Sequence, residues 1–209
     1  MINKMSQVLV TAFEPYDIWK ENSSWLTLVV LTKDLPDRPQ LTTRRYPVDY
    51  GQLRQQLRKD LQLGFDFILL LGQSPGSSSI QLETIGLNQA APSSGTEGGC
   101  VPVAEDGPLA YRSQLPANEL CTLLKRAGIP TRVSSHAGTY LCNAALYFSH
   151  HMIATEQLKS QAIFLHLPLD VTQAAQHPNE IASMPSSLCA QAIRLVLEYL
   201  VSHNHAEAT

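Results

Sequence analysis

The sequence lacks any cluster of positive charge. No Lys/Arg run exceeds the pair Arg44-Arg45, and a net charge of −3 with pI ≈ 6.1 removes the electrostatic reason to expect nucleic acid as a partner. Charge of either sign is scarce, at 16% of residues against 44% hydrophobic, which excludes a disordered chain and suits a compact globule. No apolar stretch approaches the roughly 18 residues a membrane span needs, so no membrane association is expected. The opening Met1-Ile2-Asn3-Lys4-Met5-Ser6 has no apolar segment followed by a small-residue cleavage site, and cytoplasmic residence is the resulting expectation. Cysteine is sparse too. Cys100, Cys121, Cys142 and Cys189 form no C-x-x-C and no close pair, which argues against a disulfide framework or a zinc site and leaves reduced thiols. With no internal repeat, heptad run or interdomain linker, the 209 residues read as one domain, 1–209.

What is present is an alternation of apolar runs and amphipathic ones. Gln7 to Phe13 reads as a buried strand, and Ser23 to about Leu35 as a helix with Asn22 as its N-cap. Leu41 to Val48 is a strand placed at an edge by Pro47, which cannot donate to a ladder. Asp49 caps a helix whose Leu53, Leu57 and Leu61 recur every four residues. Phe65 to Gly72 is nearly continuous in apolar residues, as in a parallel strand buried on both faces. Ser79 to Leu87 reads as one extended segment, and Ala90 to Gly107, rich in Pro, Gly and Ser, as a long loop of the kind that serves as a lid or binding loop. Asn118 to Ala127, Cys142 to about Thr155 and Ser186 to about Ser202 are helices. Thr131 to Ser135 and Ala162 to Leu167 are strands. This order predicts an α/β fold, a three-layer α/β/α sandwich around a mostly parallel central sheet.

Open α/β sheets place their sites on the turns at the carboxyl ends of strands. Cys142 opens a helix after such a turn, where free backbone N–H groups and the positive dipole end favour a thiolate over a thiol. His166, near the end of an apolar strand, has the chemistry to act as its base and later to protonate a leaving amine. Glu83 supplies a carboxylate able to orient the imidazole. Each residue also has a bland reading: a small buried thiol, a satisfied core histidine, a solvated strand carboxylate. His136, close to Cys142 in sequence, is a competing base. His150-His151 read as a helix face turned to solvent, His203 and His205 as a frayed tail.

A family resemblance changes those odds. Ser134 to Asn143 (S-S-H-A-G-T-Y-L-C-N) resembles the S-N-x-A-G-x-(F/Y)-(V/L)-C-N segment around the nucleophile of pyroglutamyl peptidase I, also called pyrrolidone-carboxylate peptidase. In the same order, Val8 to Tyr16 resembles V-L-(V/I)-T-G-F-x-P-F, Asn22 to Trp25 resembles N-P-S-W, and Leu71-Gly72-Gln73 resembles the strand end H-(V/L)-G-(Q/M). Glu83 to Asn88 resembles E-(R/K)-(V/I)-A-x-N, and Phe164 to Pro168 resembles F-(I/L)-H-(V/I)-P. The resemblance implies a phosphorylase/hydrolase-like fold and a Cys142–His166–Glu83 triad. It implies removal of N-terminal pyroglutamate from peptides through a thioester, with no cofactor or metal, by a homo-oligomer. It also implies a largely apolar lactam pocket containing Phe13, Tyr16, Tyr140 and Leu141. Gln73 falls at a position associated with substrate main-chain contacts, while Asn22 serves either the pocket or the helix cap.

Three departures accompany it. T-G-F-x-P-F-G-G is T-A-F-E-P-Y-D-I here, losing three glycines and adding the Tyr16 hydroxyl; Ser135 replaces an asparagine; and the stretch Ala90-Ala91-Pro92-Ser93-Ser94 lacks an expected arginine. His136 is the nearest replacement cation. Loss of a preorganised positive group costs on the order of 10²-fold in rate, so a non-catalytic binder of lactams or N-terminal acyl peptides is the alternative, with a shifted acyl specificity between the two.

Overall fold

The computed structural model describes residues 5–35, 38–91 and 99–204. Strand β1 (Gln7–Phe13) is buried beyond its first residue, and β3 (Phe67–Gln73) is buried throughout, as continuous apolar runs require. They belong to a six-stranded sheet with β2 (Gln40–Tyr46), β4 (Ile80–Glu83), β7 (Thr131–Ser134) and β8 (Gln161–Leu167), in the order β2-β1-β3-β8-β4-β7. The first four run parallel. β4 pairs antiparallel with β8 and parallel with β7, so the sheet reverses direction between β8 and β4. As expected, β2 lies at an edge, although it ends at Tyr46 and Pro47 follows it rather than sitting within it.

Alternation along the strands sorts the core into two halves. Val8, Val10, Leu69, Leu71, Ile163 and Leu165 face α1 (Ser23–Thr32), α3 (Ala117–Arg126) and α6 (Ser186–Asn204). Leu9, Ile68, Leu70, Ala162 and Phe164 face α2 (Tyr50–Leu61) and α4 (Leu141–Thr155). The result is a three-layer α/β/α sandwich. The caps follow the sequence reading: Asn22 accepts from the Ser24 N–H and Asp49 from the Gln52 N–H. α3 runs into Gly128 at φ +76.

Several expectations need correcting. Ser79 to Leu87 is two strands, not one. After Glu83 the chain turns at Thr84, whose N–H and hydroxyl both donate to the Ser134 carbonyl. β5 (Ile85–Leu87) then leaves the main sheet to pair with β6 (Ala110–Arg112). That ribbon lies on α4, close enough that a Cβ at Gly86 would fall 2.8 Å from the Tyr147 backbone. It covers the face of α4 that bears His150 and His151, which are therefore buried rather than turned to solvent; burial pushes the His150 imidazole down to about 4. α1 ends at Thr32, short of Leu35. His203 sits in the last turn of α6 with its ring stacked 3.9 Å from Tyr199, while His205 lies outside the described residues, as do 92–98 of the expected loop.

The one-turn helix α5 (Val171–Ala174) gave no periodic signal. Its N-cap, Asp170, is buried and accepts from the Thr172 N–H (2.9 Å) and hydroxyl (2.7 Å) and from the Ser186 N–H (2.8 Å) and hydroxyl (2.6 Å). One carboxylate thus fixes the starts of two helices. Asp170→Ala loses a cap and strands buried donors, and a loss of about 3 kcal/mol in urea-unfolding stability is expected; a loss below about 1 kcal/mol contradicts this role.

Candidate active site

The carboxyl ends of β1, β3 and β8 open onto one cavity of about 170 Å³. All six sequence-predicted pocket residues (Phe13, Tyr16, Asn22, Gln73, Tyr140 and Leu141) line it, together with Cys142 and His166. Val48, Ala137, Gly138 and Thr139 also line it and were missed in the sequence; they are small or apolar residues on turns, with no chemical signature of their own.

Sheet register explains how Glu83 reaches His166. Glu83 pairs with Phe164 across the antiparallel β4–β8 seam, and Gln81 pairs with His166. Glu83 and His166 are therefore diagonal neighbours on one face, roughly 7–8 Å apart at the backbone and within reach of long side chains. The His166 Nδ1–H donates to Oε1 of Glu83 at 2.8 Å, with the Glu83 side chain only 1% exposed. Far from being a solvated strand residue, Glu83 is among the most buried polar groups in the fold.

Cys142 arrives from the other side, on the first turn of α4. In the parallel β3–β8 pair Gly72 stands opposite His166, and its missing side chain leaves the space the thiol uses. A Cβ at position 72 would lie 2.9 Å from Cys142 Sγ and 2.5 Å from Cζ of Phe164. Cys142 and His166 line the same cavity, near enough for each to act on the other's charge. Burial pushes this imidazole down, but the charge and hydrogen bond of Cys142 and those of Glu83 outweigh burial and push it up to about 9. The protonated ring, held between Glu83 and Cys142, is therefore the favoured state of His166 at neutral pH. No side chain caps α4 at Tyr140, and its first turn carries no acidic residue, so the N–H groups beside Cys142 are left for another acceptor.

The cavity walls are mainly apolar. Tyr140 is held by an edge-on contact with Tyr50, ring centroids 5.6 Å apart. Tyr16 keeps its proton: burial first, then the charge of Cys142, pushes its phenol up to about 12. The adjoining Asp17 adopts φ +56, a left-handed conformation in the loop where the resemblance has glycines; Asp tolerates it better than most residues. Asn22 answers both readings of it, accepting from Ser24 while its wall faces the cavity. Gln73 is buried, and its Oε1 accepts from the Ser23 N–H and from Gln173 Nε2, each at 2.8 Å.

His136 does not join the site. It is exposed and its Nδ1 accepts from the Gly138 N–H. Among the described residues no Lys or Arg lines the cavity. Asn143 was missed: it donates to the carbonyls of Leu87 and Gln89 and accepts from the Leu87 N–H, pinning the 87–89 segment to α4. The four cysteines are free thiols. Among the described residues no cluster of three or more His, Cys, Asp or Glu could hold a metal, and no helix is long and apolar enough to cross a membrane.

The family model described as pyroglutamyl peptidase matches residues 6–203 of this chain. A pyrrolidone-carboxylate peptidase of Pectobacterium atrosepticum is 33% identical over 206 residues, 94% of each chain. One of Streptomyces coelicolor is 32% identical over 208 residues, 93% of this chain and 95% of the relative. Among solved structures, a pyrrolidone carboxyl peptidase of Fervidobacterium islandicum superposes with a TM-score of 0.87 at 33% identity, covering 93% of this chain and 98% of that one. A mutant form of the Pyrococcus furiosus protein gives 0.85 at 29% identity, covering 92% and 96%.

The charge balance around His166 has a direct readout. Its ring proton in NMR is expected to titrate near 9 in the wild type and well lower in Cys142→Ala, where burial persists and one negative partner is gone. Because the folded value exceeds the ordinary 6.5, the stability it contributes is full below about pH 6.5 and fades as pH rises through 9. Equal midpoints in the two proteins contradict the pairing.

Proposed function

The chain belongs to the pyroglutamyl peptidase family, and from that premise we propose that it hydrolyses the amide bond after an N-terminal pyroglutamyl residue with Cys142, His166 and Glu83 as catalytic residues. The observation that carries this reading is the 2.8 Å bond from His166 to Glu83 beside the Cys142 thiol.

The Cys142 thiolate attacks the pyroglutamyl carbonyl carbon, and the uncapped N–H groups at the start of α4 receive the oxyanion. The His166 imidazolium gives its proton to the departing amine, releasing the shortened peptide and leaving a thioester on Cys142. The now neutral imidazole takes a proton from water, which attacks the thioester. Free pyroglutamate leaves and the thiolate–imidazolium pair is restored. Glu83 fixes the ring orientation and stabilises the imidazolium throughout. Phe13, Tyr16, Tyr140 and Leu141 give an uncharged five-membered lactam apolar walls, while Asn22 and Gln73 supply the few polar groups such a pocket needs. A reducing, cytoplasmic setting suits four free thiols, one of them the nucleophile.

Purified, reduced protein is expected to release aminomethylcoumarin from its pyroglutamyl amide. Cys142→Ala should reduce this to background, and Glu83→Gln should lower kcat by about 10²–10⁴-fold. Tight lactam binding with no turnover by the wild type would instead favour the non-catalytic binder, the reading to which the cation-free cavity wall points.

A further inference from the structure

The short helix α5 does not reach the cavity, yet its cap fixes an amide that does. The Asp170 N–H donates to Oε1 of Gln173 at 2.9 Å. That settles which end of the Gln173 amide is which, because a backbone N–H can only donate. The Nε2 end therefore donates, to the Glu21 carbonyl at 3.0 Å and to Oε1 of Gln73 at 2.8 Å. Gln73 Oε1 receives a second donor, the Ser23 N–H, at 2.8 Å. Both lone pairs of that oxygen are taken, and turning the Gln73 amide over would set its NH₂ group against two donors. Backbone N–H groups at both ends of this relay leave each amide one orientation.

The free end is Gln73 Nε2. It is buried without a hydrogen-bond partner, belongs to a residue lining the cavity, and lies near enough to the Tyr16 hydroxyl to favour its ionised form. A buried donor left unmade is costly; the nearby Tyr16 hydroxyl does not bond it, and a carbonyl oxygen of a bound acyl group is an acceptor that would. We infer that Gln173 is a positioning residue for acyl-group recognition: acting through Gln73, it presents an N–H donor to a carbonyl oxygen of the bound pyroglutamyl group. The inference rests on the pyroglutamyl reading above, but concerns a residue that itself touches neither substrate nor thiol.

Gln173→Glu is the informative variant, since it keeps the shape and the acceptor for the Asp170 N–H while opposing an oxygen to Gln73 Oε1. The Gln73 amide should then turn over and offer the pocket an acceptor. The expected result is a rise in KM for the pyroglutamyl coumarin amide of about tenfold or more. kcat and the rate of Cys142 alkylation by iodoacetamide should stay within about twofold of wild type. Lowering the pH should return a proton to the new carboxyl, restore the donor and bring KM back toward wild type. Gln173→Met, which removes the donor without adding charge, should raise KM less. An unchanged KM in Gln173→Glu overturns the inference, as does a parallel fall of kcat, alkylation rate and melting temperature in both variants. Should the wild type show no turnover, the functional reading fails separately. Calorimetry with 2-pyrrolidone then decides the inference, weaker binding by Gln173→Glu supporting it and equal binding overturning it.

Discussion

A buried carboxylate bonded to a buried imidazole across the β4–β8 seam is the constraint on which the site depends. Neither partner is tolerable there alone, since an ionised group with 1% exposure needs a compensating charge or donor. Together they set the ring angle, hold one imidazole nitrogen, and leave the other to the sulfur. The reversal of strand direction is what makes the bond geometrically available: a parallel neighbour at that point would change the register relating Glu83 to His166. The one antiparallel pairing in the main sheet therefore coincides with its chemistry.

The remainder of the site is arranged around that pair by close packing rather than by further charge. Gly72 admits the thiol, Phe164 fills the floor beside it, and α4 points uncapped N–H groups at the same spot. The cavity is walled by rings from the end of β1 (Phe13), the loop after it (Tyr16) and the turn before α4 (Tyr140), and two of its polar side chains bond to backbone groups. Asn22 holds the start of α1 and Gln73 is held by it. Recognition here draws on groups that also maintain the fold, so the pocket is stiff.

Much of this was legible in the sequence, and the limits are instructive. Strands β1, β3 and β8 announced themselves because burial on both faces demands unbroken apolar runs; His166 stood near the end of β8, and Cys142 at the start of the helix after β7. Glu83 was a weak candidate until the family resemblance, because one carboxylate in a short strand carries no local sign of burial. His150 and His151 were misread for the complementary reason: the ribbon that covers them is made by β6, a strand too short to show a period. Gln173 escaped notice although Asp170 and Gln173 have the spacing of a capping box, since nothing local says that a cap also props a side chain of another strand.

The position of β8 in the sheet bears on how the site is held together. β8 is made after every other strand, yet it lies between β3 and β4, the strands that carry Gly72 and Glu83. Without β8, Cys142 has no imidazole beside it, Glu83 has no ring to hold, and the two halves of the sheet are not joined. Any opening of the sheet along β8 therefore undoes the contacts of His166 with Glu83 and with Cys142 together.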